Sequence, residues 1–221
     1  MEKISLYGVL LSPYVRKVRL ALDFKGLDYE IIPVYPIPNA EKPVEFLANS
    51  PLGKIPLLRV NDDYLADSTI MCAWLERAHP EPALVSVDPM LAAKTLWFEA
   101  YMSSKMAPAI GGHLFVELVL AKKVFGREPI QADIDLALGT EIPAIFDYLT
   151  TQLKSDFLMG DTVTLADIAV GSQFLTLSHC NYVCDGSIWP EVAAYIERIM
   201  GLDIFKNGLK EEQQFLQAFG S

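Results

Sequence analysis

Up to residue 79 the chain alternates β-rich runs with helical ones, and beyond that point no further β-hairpin signal occurs. This change of period constrains the fold most, because the two parts must bury their apolar faces in different ways. Ile4–Gly8 is a short β-rich run. It stops where Ser12-Pro13 opens a helix to about Lys25, with Val15, Val18 and Leu22 at helical spacing. Gly26 closes that helix, and Tyr29–Val34 is a second strand. Glu41–Ala48 is a short helix after a loop that holds Pro33, Pro36 and Pro38. Ile55–Val60, the turn Asn61-Asp62-Asp63 and Tyr64–Ala66 read as a hairpin. Asp67 then opens a helix with Ile70, Met71, Trp74 and Leu75 on one face, ended by His79-Pro80. Residues 1–79 therefore predict an α/β domain of four short strands.

Pro80, Pro82 and Pro89 crowd the next stretch, and residues 80–87 have the composition of a linker. From 88 to 221 the pattern is helical: Met90 to about Lys123, Ala132 to about Lys154, Thr164 to about His179, and Pro190 to about Met200. The second domain is expected to be an all-α bundle whose helices cover one another. Gly139 and Pro143 fall inside the second of these helices, which either kinks there or is two helices.

A formal net charge of −10 over 221 residues excludes a nucleic-acid partner and docking on anionic lipid, both of which need a basic face. It does not exclude one small anion in a local pocket. Three cysteines, Cys72, Cys180 and Cys184, form no disulfide framework, which fits a reducing compartment. The apolar stretch Ile4–Leu11 is short and runs into Ser12-Pro13 and then Arg16, Lys17 and Arg19, so it reads as a strand entering a helix, not as a signal sequence. The most apolar segment, Leu165–Leu177, contains Asp167 and Gln173 and is too short to span a bilayer. A soluble, cytoplasmic protein is expected.

Three short features could carry chemistry, and each has a structural reading beside it. Ser12-Pro13-Tyr14 is a helix N-cap with proline in the first turn, and a helix start after a strand also favours an anion such as a thiolate. Lowering a thiol pKa by two units takes roughly 2.7 kcal/mol, within reach of a hydroxyl donor and a helix terminus together. Lys54-Ile55-Pro56 opens the third strand. Read alone, Pro56 is a plain edge-strand proline, whereas a cis Ile55-Pro56 bond would turn the Ile55 main chain toward a peptide-like ligand. Asp67-Ser68 is a second cap. It also supplies a carboxylate for an ammonium and, with the free N–H groups, a hydroxyl for a carboxylate.

Taken in order, these features resemble the amino-terminal domain of the cytosolic glutathione transferases, and the resemblance runs along essentially the whole chain. Ser12-Pro13-Tyr14 followed by Val15-Arg16-Lys17-Val18-Arg19-Leu20-Ala21-Leu22 is similar to the serine-type tau, theta and zeta classes, as in bacterial or plant-like members. Asn49–Pro56 resembles the family's approach to its cis-proline, Asp67-Ser68 its Glu-Ser or Asp-Ser pair, and Thr164-Leu165-Ala166-Asp167 after Gly160-Asp161 its internal capping box.

The resemblance implies a thioredoxin-like domain with a four-stranded mixed sheet, a helical carboxy-terminal domain, and a homodimer. It implies glutathione as co-substrate without a metal: Ile55 beside Pro56 pairs with the cysteinyl group and Asp67 and Ser68 hold the γ-glutamyl end. Lys54 and Lys42 meet the glycine carboxylate, and Ser12 donates to the sulfur. The thiolate would attack a small hydrophobic electrophile. Tyr7, where other classes carry a catalytic tyrosine, competes with Ser12; Tyr14 reads as packing. Met102, Met106, Ile110, Phe115 and Phe174 line either an electrophile pocket or the bundle core. Glutathione-dependent peroxide or disulfide reduction and a non-catalytic interaction module are the alternatives. His179, Cys180 and Cys184 are too scattered for a metal set.

Overall fold

β1 (Ile4–Gly8) is buried at every position because it lies inside the sheet, and its apolar residues are covered on both faces. The computed structural model describes residues 2–37 and 40–218; Pro38 of the predicted proline loop lies outside them. β1 is followed by α1 (Pro13–Phe24), β2 (Glu30–Pro33), α2 (Val44–Asn49), β3 (Leu57–Val60), β4 (Asp63–Ala66) and α3 (Ser68–Ala78). The sheet order is β2-β1-β3-β4, with β1 parallel to β2 and the other neighbours antiparallel: a four-stranded mixed sheet of thioredoxin-like type. Pro56 precedes β3, an inner strand, so the edge-strand reading is corrected: the missing N–H is tolerated because ladder pairing begins one residue later, at Leu57.

Successive residues of β1 face opposite ways. Tyr7 packs with Val34, Phe46 of α2 and Leu57, while a Cβ built on Gly8 would sit 2.4 Å from Val15 of α1. α1 and α3 lean on each other. Their far ends are held by the buried Lys25 ammonium, 2.8 Å from Glu76, 2.7 Å from the His79 carbonyl and 2.9 Å from that of Pro82. The Glu76 carboxylate in turn accepts from the Leu84 N–H. The chain divides into two units between Leu84 and Val85.

The second unit is helical throughout its described residues. α4 (Pro89–Tyr101) is capped by Asp88, whose Oδ1 accepts from the N–H groups of Met90 and Leu91 at 2.9 Å. It continues as a wide, π-wound stretch, Met102–Leu120, that contains Pro108, and ends in the turn Ala121–Lys123. A proline inside a helix cannot donate to the preceding turn and pushes its carbonyl away, and wider winding accommodates both effects. The next helix repeats the pattern: α5 (Gln131–Leu136), a π-wound segment Ala137–Glu141 that includes Gly139, then α6 (Ile142–Gln152) with Pro143 in its first turn. The predicted single segment thus neither stops nor splits; it widens.

α7 (Leu165–His179) is buried around its circumference from Leu165 to Leu177 and packs on α4 and the long π-wound stretch. A capping box starts it. Asp167 accepts from the Thr164 N–H and hydroxyl, both at 2.8 Å, and also from the Leu158 N–H and the Tyr195 hydroxyl. Gly171 lets α8 (Pro190–Met200) and α9 (Asp203–Ala218) approach, since a Cβ there would be 2.7 Å from Ile199 and Phe205. The sequence reading did not anticipate α9, because its inward face mixes Phe205 with Gly208 and Glu212. No described helix is long and apolar enough to cross a membrane.

Candidate functional site

One row across the sheet organises the site. Tyr7 lies opposite Leu57, and Leu57 lies opposite Ala66. The residues that follow Tyr7 and Ala66, and the one that precedes Leu57, therefore emerge at the same end of the sheet: the Gly8–Ser12 connection, Pro56, and Asp67. Register alone gathers three features that are 55 residues apart at their extremes, from Ser12 to Asp67.

Ser12 has extended backbone and caps α1; its Oγ accepts from the Val15 N–H at 3.5 Å, and its own N–H donates to the Val9 carbonyl at 3.1 Å. A hydroxyl has two lone pairs and one proton. Among the described residues the Ser12 O–H proton has no acceptor, so it stays available at the positive end of a twelve-residue helix. Arg16, fully buried one turn on, reaches the Leu11 carbonyl at 3.4 Å.

Ile55-Pro56 is cis. The Ile55 main chain stands just outside the ladders, which begin at Leu57. The turn before it is fixed from within: Gly53 N–H donates to the Ser50 carbonyl at 2.9 Å, and buried Ser50 donates its hydroxyl to the Lys54 carbonyl at 3.0 Å. Asp67 has φ of 80°, a region that non-glycine residues seldom occupy, and its Oδ1 accepts from the Thr69 N–H at 2.8 Å to cap α3. Ser68 is buried beside it. The Tyr14 hydroxyl is held above its ordinary pKa first by burial and then by the Asp67 charge, which brings the opening turns of α1 and α3 within electrostatic reach.

Two family models match the chain: "Glutathione S-transferase, N-terminal domain" over residues 6–83 and "Glutathione S-transferase, C-terminal domain" over residues 115–203. Glutathione S-transferase 4 of Zea mays is 30% identical over 179 residues, covering 80% of this chain and 77% of its own. The chain belongs to the glutathione S-transferase family. A zeta-class glutathione S-transferase of Euphorbia esula is 28% identical over 96% of the chain and 92% of its own. The crystal structure of a glutathione S-transferase from Rhodospirillum rubrum F11 superposes with a TM-score of 0.82 at 25% identity, covering 93% of this chain and 91% of that one.

Within this glutathione S-transferase fold the predicted site residues fall into two groups. Ser12, Ile55, Pro56, Asp67 and Ser68 share one end of the sheet, and Lys54 is exposed beside them. Lys42 is on the segment leading to α2, and among the described residues no hydrogen bond or ion pair ties its side chain to that row. Tyr7 points to the α2 face, opposite α1. There burial raises its hydroxyl above the ordinary value, and Arg59, which lies over the Tyr64 ring, works against that rise.

Arg16 is the residue that sequence reasoning passed over. An arginine in an amphipathic helix looks exposed, and only its place beneath the loop reveals the burial. Met102, Met106, Ile110, Phe115 and Phe174 are all buried. His179 bonds Glu212 at 2.8 Å, burial pushes the Cys180 thiol up to about 12, and among the described residues no group of three or more His, Cys, Asp or Glu could hold a metal ion.

Proposed function

We infer that the protein binds glutathione at this end of the sheet and transfers its sulfur to a small hydrophobic electrophile. The observation that carries the reading is the Ser12 hydroxyl. It caps α1 through its oxygen while its proton has no acceptor among the described residues, at a helix N-terminus. A thiolate placed there receives one charge-assisted hydrogen bond and the field of the helix. The cysteinyl group pairs with the Ile55 main chain, and Asp67 takes the γ-glutamyl ammonium through the carboxylate oxygen its capping bond leaves open. Ser68 and the N–H groups of α3 take the γ-glutamyl carboxylate, and Lys54 and Lys42 meet the glycine carboxylate.

The sulfur then forms its bond to the electrophilic carbon as the leaving group departs. Tyr7 is the weaker candidate for thiol partner, because its ring packs on the α2 face, away from α1. The resemblance further supports a cytoplasmic homodimer, and the proline-rich composition of residues 80–87 supports a linker between a domain ending at 79 and one beginning at 88.

Titration calorimetry with glutathione, together with the thiolate ultraviolet band of the complex, tests this reading. Binding with a band that disappears in Ser12→Ala is the expected result. Binding without turnover of any aromatic electrophile, hydroperoxide or mixed disulfide assigns the protein to the interaction-module alternative; turnover of the last two alone assigns it to the reductases.

A further inference from the structure

Ser50 joins the core of the first unit to the main chain at Ile55. Its N–H donates to the Phe46 carbonyl at 2.9 Å, its carbonyl accepts from the Gly53 N–H at 2.9 Å, and its hydroxyl donates to the Lys54 carbonyl at 3.0 Å. Phe46 is fully buried and packs with Tyr7, Val34 and Leu57, so α2 is an anchored base for these bonds. Ser50 is itself buried, whereas Pro51, Leu52, Gly53 and Lys54 stand in solvent. With those four residues in water, the bonds to Ser50 hold the shape of the turn.

The Lys54 carbonyl and the Ile55 N–H belong to one peptide unit. That unit is planar and trans, so its C=O and N–H point in opposite directions. Tying the carbonyl inward to Ser50 therefore turns the Ile55 N–H outward. Among the described residues neither the N–H nor the carbonyl of Ile55 has a hydrogen-bond partner, and the ladders begin at Leu57. The Ile55 side chain meanwhile packs against the cluster of Tyr7, Val34, Phe46 and Leu57. A residue before proline keeps to extended backbone, which sends its N–H and carbonyl to the same side. An extended peptide needs both from one partner residue.

We propose that Ser50 is a positioning residue for tripeptide binding: by holding the Lys54 carbonyl it sets the direction of the Ile55 N–H that meets the cysteinyl carbonyl. An amide fixed before the ligand arrives avoids the entropy cost of ordering it on binding. Without the hydroxyl, the Lys54 carbonyl turns to water. The peptide plane then rotates about its two flanking single bonds and carries the Ile55 N–H out of line. Ser50 stands behind the peptide and acts only through it. The proposal rests on the glutathione reading above.

The test is calorimetric, on the full chain, with glutathione and with γ-glutamyl-2-aminobutyryl-glycine, which carries a methyl group in place of the thiol. Ser50→Ala should weaken both tripeptides about tenfold and by the same factor, the size expected when one hydrogen bond of the complex is lost. An effect routed through the sulfur and Ser12 would leave the second tripeptide unchanged. Ser50→Thr restores the hydroxyl and should bring both affinities back toward the parent's. The direct reading is the Ile55 amide proton in nitrogen-15 NMR. It should move downfield when either tripeptide binds the parent, and move less in Ser50→Ala at saturation. Unchanged affinity in Ser50→Ala, a fall confined to glutathione, or equal Ile55 shifts in parent and variant would overturn the role. If Ser50→Thr melts early, the Ile55 shift decides alone. A parent that binds neither tripeptide overturns the glutathione reading before any variant is made, and this role falls with it.

Discussion

Val15 presses against Gly8 so closely that a Cβ at position 8 would lie 2.4 Å from its Cγ2. This contact seats α1 on the end of β1 and so sets where Ser12 stands. Valine is stiff at χ1 and its branch lies next to the backbone, so it cannot swing away. Gly8→Ala should destabilise the protein by about 1–3 kcal/mol through overpacking. Pairing it with Val15→Ala should recover part of that loss in chemical denaturation. An additive double mutant would refute the contact as the cause.

Ser12→Ala removes both the cap and the thiol donor, so stability and activity must be separated. The cap is worth about 1 kcal/mol. Loss of the donor should lower kcat/KM by about 10²–10³, with glutathione affinity changed less than threefold. Ser12→Asp keeps an N-cap but places a negative charge against the sulfur. It should melt near the parent temperature and still be inactive.

Asp67→Asn retains a capping oxygen and a side chain that tolerates positive φ, and loses only the charge. Glutathione affinity should fall at least tenfold while the melting temperature moves little. The Tyr14 hydroxyl, raised in part by Asp67, should titrate lower in the variant, readable by NMR of a ring-labelled protein.

Lys25→Met should cost about 3 kcal/mol, because it strands the Glu76 carboxylate and the carbonyls of His79 and Pro82 around a buried site. Lys25→Met/Glu76→Gln should recover some of this. Equilibrium unfolding in urea measures both.

Glu117 is held down to about 2 from an ordinary 4.5, first by its hydrogen bonds from Arg127 and then by the Ile130 N–H. A carboxylate with a lowered folded-state pKa contributes stability that is complete above 4.5 and is lost as the pH falls toward 2. Glu117→Gln should therefore flatten the part of the melting-temperature profile lying below pH 4.5. A profile as steep as the parent's would show that other carboxylates govern acid unfolding.

The strand and helix order, the caps at Ser12, Asp67 and Thr164, and the change to an all-helical second part were legible in the residues themselves. Those signals depend on hydrogen bonds and φ/ψ preferences spanning four or five positions. The end of Pro190–Met200 was readable for the same reason, whereas α9 was not: its pattern becomes apolar only once Glu212 has found His179. The widening beside Gly139 and Pro143 was visible as a difficulty but not as a solution, because either a break or a wider turn relieves a proline, and the widening around Pro108 was not anticipated.

What tertiary structure alone decided is which of these local features meet. The pairing of Tyr7 with Leu57 and of Leu57 with Ala66 puts Ser12, Ile55 and Asp67 at one end of the sheet. The strand's two-residue period then sends Tyr7 to the α2 face, and helix packing buries Arg16. Register and burial are set by apolar surfaces far apart in the chain, so no window of neighbouring residues contains them. The local code determined the parts and the free hydroxyl; the long-range packing determined that they form a site.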